Sequence, residues 1–445
     1  MKVLLIGNGG REHAIAWKLL QSGEVQQVIC VPGNGGTAST PGCLNLAMNV
    51  LDFEGMARFA LVNGVELIVV GPEAPLAAGA TDRFRAQGLT VFGPTQAGAQ
   101  IESSKAWAKT LMEEAGIPTA AASVFTDADL AIAHVRKQGA PIVVKADGLA
   151  AGKGVTVAMT LAEAETAITE ALGGKFGEAG QQVLIEEYLT GQEVSVLALT
   201  DGLTIRPLLP AQDHKRIGEG DTGANTGGMG AYAPAPIATP ALMERIQREI
   251  LEPAIAALRQ RGIDYRGVLY AGLIITPAGA PKVIEFNCRF GDPETQAVLP
   301  LLATSLPAVL LACAEQRLEA FPPLEWQSGA STCVVMAAGG YPEAYEKGKP
   351  ITGLDQAAEQ GALVFHAGTQ KRGSQIVTDG GRVLNVVATG ETLESAIAHA
   401  YRVLSPIQFD GMYLRRDIGF RAKQATAPVP EPDSASPSAN SGGAE

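Results

Sequence analysis

Residues 141–159 read PIVVKADGLAAGKGVTVAM: an apolar run ending near a lysine, a turn of glycine and alanine around a second lysine, and another apolar run. A P-loop needs four residues between its first glycine and its Gly-Lys pair, then a Ser or Thr for magnesium. Here Gly148 is followed by Leu149, Ala150 and Ala151 before Gly152 and Lys153, and Gly154 comes next. Context separates the two more firmly than spacing does. PIVVKAD and GVTVAM both read as strands, so the turn joins strand to returning strand, whereas a P-loop joins strand to helix. Lys145 then sits inside an apolar strand, where an ammonium is costly to bury unless it meets an anion. A phosphate and a neighbouring carboxylate are both open as that anion.

The flanking sequence extends this unit over 103–190. SSKAWAKTLMEEAGIP (103–118) reads as an entry helix, with serines at its start and Gly116 and Pro118 at its end. Thr160 and Glu163 form a capping box for the next helix, and QVLIEEYL (182–189) is a further strand. Before it, residues 1–102 alternate short strands with helical stretches: KVLLIG, QQVICV, ELIVVG and LTVFG. Such alternation predicts a doubly wound parallel sheet, whose ligands bind beyond the carboxyl ends of the strands. Those ends carry GNGGREHA (7–14), PGNGG (32–36), GPEAPL (71–76) and GPT (93–95). Glycine turns at one edge suit a phosphate or small polar ligand held on backbone N–H groups. The dinucleotide fingerprint fails twice here. Its sixth position is Glu12 rather than glycine, and the second strand ends in proline and glycine without an acid for a ribose.

After the lid unit, residues 191–325 hold the long glycine-rich stretch QDHKRIGEGDTGANTGGMGAY (212–232), expected as a structureless functional loop. A helix around 240–261 and the hairpin GVLYAGLIITPAGAPKVIEFN follow. Residues 326–422 predict a smaller α+β region. Residues 423–445, rich in Pro, Ala and Ser, lack the apolar side chains to order themselves and are expected to be disordered. The fold class expected is therefore α/β: an N-terminal doubly wound parallel sheet, two central α+β subdomains over 103–190 and 191–325, and a small C-terminal α+β domain.

Two stretches carry candidate chemistry. IEEYLTGQE (185–193) puts Glu186, Glu187 and Glu193 around a strand end, where carboxylates could accept from an amine and from ribose hydroxyls or simply face solvent. VIEFNCRFGDPET (283–295) says more. Period two places Glu285, Asn287 and Arg289 on one strand face between Ile284, Phe286 and Cys288. Hard oxygens from Glu and Asn suit Mg²⁺, which takes few protein ligands and completes its shell with phosphate and water. An arginine two residues on can hold a carboxylate or phosphate in bidentate fashion.

Composition limits the partners. The chain has 445 residues, 46% hydrophobic and 18% charged, as in ordinary globular proteins. A net charge of -12 argues against a general nucleic-acid or anionic-membrane surface. No apolar run approaches the ~20 residues of a membrane span. Five cysteines, none in a C-x-x-C pair, fit reduced thiols, and the expectation is a cytoplasmic monomer.

In order, GNGGREHA, PGN, VGPEAPL, KADGLAAGKGV, IEEYL, QDHKR, NTGGMGAY and VIEFNCRFGDPETQ resemble the ATP-grasp carboxylate–amine ligases. Within them the chain is most similar to the phosphoribosylamine–glycine ligase (glycinamide ribonucleotide synthetase) family, over about residues 1–422. The resemblance implies a ligase of purine biosynthesis that joins glycine to 5-phosphoribosylamine through glycyl phosphate, using ATP with Mg²⁺ or Mn²⁺. It implies that the 148–154 turn, with Gly152, Lys153 and Gly154, covers the ATP phosphates, which Lys105 and Lys145 contact. It assigns adenine to Glu186, ribose to Glu193, backbone contacts to Glu187 and Leu189, and the metal to Glu285 and Asn287. Arg289 and Lys145 are the catalytic candidates. Gly9, Gly10, Asn34, Glu73, Asp213, Lys215, Thr226, Gly228 and Arg289 are the expected substrate contacts. One departure is expected: many ATP-grasp enzymes carry a further metal-binding acid on the strand where this sequence has Ala271.

Overall fold

The structure, a computed structural model, describes residues 1–149 and 154–425. The N-terminal unit is a parallel five-stranded sheet in the order Cys43–Asn45, Gln27–Pro32, Lys2–Gly7, Leu67–Val70, Val91–Phe92. Four of these strands are the ones expected, and Cys43–Asn45 adds an edge. The alternation of the first strand explains its central place. Leu4 and Ile6 enter one apolar cluster with Ile29, Val31, Ile68 and Val70, while Val3 and Leu5 enter another with Val28 and Val69. A strand buried on both faces belongs in the middle of a parallel sheet.

The 141–159 stretch forms strands Ile142–Ala146 and Val155–Ala158, antiparallel as expected, in a four-stranded sheet with Ala122–Phe125 and Val183–Glu187. Ile142, Val144 and Ala146 point into a small core with Val183 and Ile185 and the helices Ala128–Gln138 and Leu161–Glu170. By period two, Val143, Lys145, Leu184 and Glu186 face the other way, into the central cavity. Thr160 and Glu163 form the expected capping box.

Facing this sheet is a second, Ile205–Pro207, Gln192–Thr200, Gly267–Ile275 and Pro281–Asn287, also antiparallel. Val194, Val196, Ala271 and Leu273 pack into the core on its far side. Glu193, Tyr270, Ile274, Glu285 and Asn287 line the cavity on its near side.

The 212–232 stretch departs from the structureless loop expected. Gln212–Asp213 and Gly230–Ala233 pair with each other, and Gly230–Ala233 pairs with Ala330–Ala337. They thereby complete a five-stranded sheet with Arg382–Gly390 and Leu363–His366. That sheet crosses the division expected at 325/326. Between those strands, Arg216–Gly218 and Thr222–Asn225 form a small hairpin. A last helix, Phe420–Ala425, runs past the expected tail boundary at 423; residues 426–445 lie outside the described residues. Among the described residues all five cysteines are free, and no helix is long and apolar enough to cross a membrane.

Candidate active site

A cavity of about 710 Å³ opens between the two antiparallel sheets and reaches the carboxyl edge of the N-terminal sheet. Four lysines approach it, two of them from the entry helix Lys105–Glu114. Lys145 donates to Glu186 Oε2 at 2.6 Å and to the Ile284 carbonyl at 2.9 Å, spanning the two sheets. Lys109, one turn after Lys105 on the entry helix, holds Glu186 Oε1 at 2.7 Å. Lys105 donates to the Gly148 carbonyl at 2.8 Å, at the neck of the glycine turn. Lys215 lies 2.9 Å from Glu193 and 3.6 Å from Glu285.

Both carboxylate oxygens of Glu186, expected as the adenine contact, pair with buried lysines, so the side chain also sets those lysines in place. Glu187 accepts from Lys282 and the Ala121 N–H at the cavity rim, where Leu189 also lies. Gly154 lines the cavity, whereas Gly152 and Lys153 fall outside the described residues.

On the opposite wall, Glu285 and Asn287 share the cavity face, as period two requires. Burial alone would raise Glu285, but Lys215, Lys145, Lys105 and Arg289 hold it below the usual carboxylate range. Arg289 lies beyond the strand end, and its guanidinium folds back to donate to Asn287 Oδ1 at 3.2 Å. It also pairs with Glu102 at 2.9 Å and Glu73 at 3.3 Å. Glu73, expected as a substrate contact, lines the cavity and pairs with Arg289 there. Burial pushes the Glu102 carboxyl up against the pull of Arg289.

The ladder also moves the missing acid. Gly272 pairs with Glu285, while Ala271 pairs with Phe286 and points into the core. A Cβ on Gly272 would stand 3.1 Å from the Glu285 Cγ. The position facing the cavity is thus Gly272, one residue from the position read in the sequence. Among the described residues no group of three His, Cys, Asp or Glu side chains could enclose a metal. One carboxylate and one amide oxygen suit a cation that takes its other ligands from phosphates and water.

The N-terminal glycine turns behave differently from expectation. The Gly9 N–H is capped by Glu12 Oε2 at 2.7 Å, and Glu12 fills the concavity beneath Gly7 and Gly71. Gly10 is packed against Asn385 and Gln296. Asn34 accepts from the Gly36 and Thr37 N–H groups and donates to the His366 carbonyl at 2.7 Å. Gly10 and Asn34 join the turns to the C-terminal sheet, and Gly9 is held within its own turn. Thr226 lines it, with its hydroxyl spent on the Lys215 carbonyl and the Gly228 N–H. Gly228 lies behind the wall, where a Cβ would meet Pro293 and Asp213.

Lys109, Glu102, Asp147 and Glu294 were not singled out by the sequence reading. Lys109 had a usable signal, its i+4 spacing from Lys105. Asp147 accepts from Ser104 Oγ and the Ala106 N–H, tying the glycine turn's first hinge to the entry helix.

Comparison with known proteins matches most of the chain. Three family models align: the Phosphoribosylglycinamide synthetase N domain at 1–102, its ATP-grasp (A) domain at 103–295 and its C domain at 331–421. A phosphoribosylamine–glycine ligase of Nostoc sp. is 67% identical over 422 residues, 95% of this chain and 99% of that protein. Another, of Synechocystis sp., is 58% identical over 95% of this chain and its own full length. Among solved structures, the phosphoribosylamine–glycine ligase of Thermotoga maritima superposes with a TM-score of 0.81 at 34% identity, covering 94% of this chain and 100% of that one. A biotin carboxylase domain from Hydrogenobacter thermophilus shares the fold, with a TM-score of 0.69 at 19% identity over 93% of this chain and 91% of that one.

Proposed function

We propose, for a chain that belongs to the phosphoribosylglycinamide synthetase family, that it joins glycine to 5-phosphoribosylamine in purine biosynthesis. It is an ATP-dependent ligase, and the products are glycinamide ribonucleotide, ADP and phosphate. The observation that carries the assignment is the meeting of Lys145, Glu285, Asn287 and Arg289 in one cavity between two antiparallel sheets.

In this reading ATP enters between the sheets. Lys145 and Lys105 lie where they can meet its phosphates, and Glu186 and Lys109 keep Lys145 from straying. Glu285 and Asn287 would hold Mg²⁺, which supplies charge neutralisation on the phosphoryl oxygens. Arg289, fixed by Glu73 and Glu102, holds the glycine carboxylate or the transferring phosphoryl group. The carboxylate attacks the γ-phosphorus and ADP leaves, giving glycyl phosphate. The ribosylamine nitrogen then attacks the acyl carbon, phosphate departs, and the amide nitrogen loses its extra proton. An amine attacking an acyl phosphate needs little base catalysis, so positioning and charge neutralisation do most of the work.

The test is direct. ATP, glycine and freshly made phosphoribosylamine should give glycinamide ribonucleotide by mass, with stoichiometric ADP. Omitting either glycine or the amine should abolish both. ADP release that continues without glycine would point to a different acid substrate and overturn the assignment.

A further inference from the structure

Lys109 spends all of its donors inside the protein. It leaves the entry helix one turn after Lys105 and is only 4% exposed. Its ammonium donates to Glu186 Oε1 at 2.7 Å, to Thr119 Oγ1 at 2.7 Å and to the Ala120 carbonyl at 2.9 Å. The Thr119 hydroxyl gives its own proton to the Val283 carbonyl at 2.8 Å, so toward Lys109 it can only accept. Three acceptors require three N–H bonds, which only the charged form of a lysine provides. Burial lowers Lys109 from its ordinary value, and Glu186 opposes that shift.

The other oxygen of Glu186 goes to Lys145 at 2.6 Å, and Lys145 meets the Ile284 carbonyl at 2.9 Å. This polar string therefore begins and ends on adjacent residues of Pro281–Asn287, the strand that carries Glu285 and Asn287. The ladder with Gly267–Ile275 pairs Val283 with Leu273 and Glu285 with Gly272, and it skips Ile284, whose carbonyl takes the lysine. Charge shows what the string can do. Two ammonium groups face one carboxylate, so the cluster keeps a positive charge and Lys145 keeps an N–H. Lys145 and Glu186 by themselves would be neutral, and a buried ammonium facing a lone carboxylate gains most by meeting both oxygens. Such a pair has no net charge to offer an anion. Among the described residues no third cation pairs with Glu186, and Lys105 is directed instead to the Gly148 carbonyl.

We propose that Lys109 is a positioning residue for the nucleotide site: by holding one oxygen of Glu186 it prevents Lys145 from closing onto both, and so keeps an N–H and a net positive charge available for an ATP phosphate. This deepens the assignment above and rests on its placing of the phosphates beside Lys145. Lys109 acts only through its neighbours, since it has no N–H left for a ligand.

The experiment uses the full chain with Mg²⁺ and a non-hydrolysable ATP analogue. Calorimetry compares wild type, Lys109→Met, Lys145→Met and the double variant, with circular dichroism confirming each fold. Lys109→Met should weaken the analogue by about tenfold or more, the range expected when a charge-assisted contact is lost. Adenosine, which has no phosphate and is followed by competition, should weaken by no more than about threefold, because no charge-assisted contact to it is lost. In the Lys145→Met background the same substitution should cost less than about twofold further, since its route to the ligand is gone. A folded Lys109→Met with wild-type affinity overturns the inference. So do equal losses for analogue and adenosine, or single losses that simply multiply in the double variant. If Lys109→Met does not fold, Lys109→Gln, polar but uncharged, is judged by the same limits. Lys145→Met that binds the analogue normally overturns both the inference and the phosphate contact beneath it. Product assays separate the inference from the assignment. Glycinamide ribonucleotide formed by wild type, with no coupling between the two lysines, leaves the ligase standing and removes the positioning role. Coupling without product does the reverse.

Discussion

Lys145 is held by one carboxylate oxygen and one carbonyl, which leaves its third N–H for a ligand. Lys145→Met keeps the aliphatic stem and removes the charge, so ATP affinity should fall by about 1.5–3 kcal/mol. Glu186 keeps Lys109, so the melting temperature should fall far less than for a wholly unpaired buried carboxylate. Calorimetric ATP binding beside thermal unfolding checks this; unchanged affinity would make Lys145 a structural partner of Glu186 alone. The metal pair gives a second test. Glu285→Gln and Asn287→Leu should each lower kcat by about a hundredfold or more with little loss of stability, because cation stabilisation is largest as phosphoryl charge develops. Raised Mg²⁺ should rescue the Gln variant more, since it retains a carbonyl oxygen. Near-normal turnover of both at low Mg²⁺ would remove the pair from the active site. These residues were legible because Glu285, Asn287 and Arg289 carry their own spacing. Glu102 and Glu294 were not, because each acts on a residue distant in the chain or across a sheet, as when Glu102 meets Arg289.

Elements were legible where their partners lie nearby. The hairpin over 267–287 was plain from two apolar runs around a Pro-Ala-Gly turn. The irregularity that sets Gly272 against Glu285 was not, because a register shift leaves no mark in a single strand's pattern. The 212–232 stretch failed for a different reason. Its order comes from arginines about two hundred residues later. Arg415, fully buried, donates to the Arg216 carbonyl at 3.0 Å and to Asp221 at 2.9 Å. Arg421 pairs with Asp221 and donates to the Asp213 carbonyl at 2.8 Å. Asp221 needs the help, since its φ of +58 lies in a region that non-glycine residues rarely adopt. Arg421→Ala should therefore loosen the hairpin while Arg415 still holds the fold. Amide exchange across 216–226 should quicken, with a drop of only about one degree in melting temperature for a contribution of about 1 kcal/mol. Unchanged exchange would show that the last helix packs beside the hairpin without ordering it.

At the scale of the molecule, the N-terminal unit meets the C-terminal sheet through uncharged histidines. His13 Nδ1 accepts the His366 N–H at 2.8 Å, which leaves the proton on Nε2, 3.1 Å from Thr40 Oγ1. A second ring proton on His13 would oppose that N–H. Burial, reinforced by His366, lowers His13 to about 3, and burial lowers His366 to about 4, against 6.5 for a free ring. Between pH 6.5 and those values the unfolded chain binds more protons than the folded one. Stability from this joint is therefore complete above about pH 6.5 and is lost as the pH falls toward 4, by up to about 1.4 kcal/mol per pH unit for each histidine. His13→Gln can keep an acceptor for His366 and a donor for Thr40 without titrating. It should start somewhat less stable at pH 7.5 yet lose stability more slowly on acidification, with carboxylate titration common to both proteins. Urea unfolding at half-unit steps from pH 7.5 to 4.5 measures the two slopes. Parallel slopes would mean that His13 takes up its proton in the folded state without cost, and that the contact between the first helix and the C-terminal sheet tolerates a charge its hydrogen bonds do not provide for.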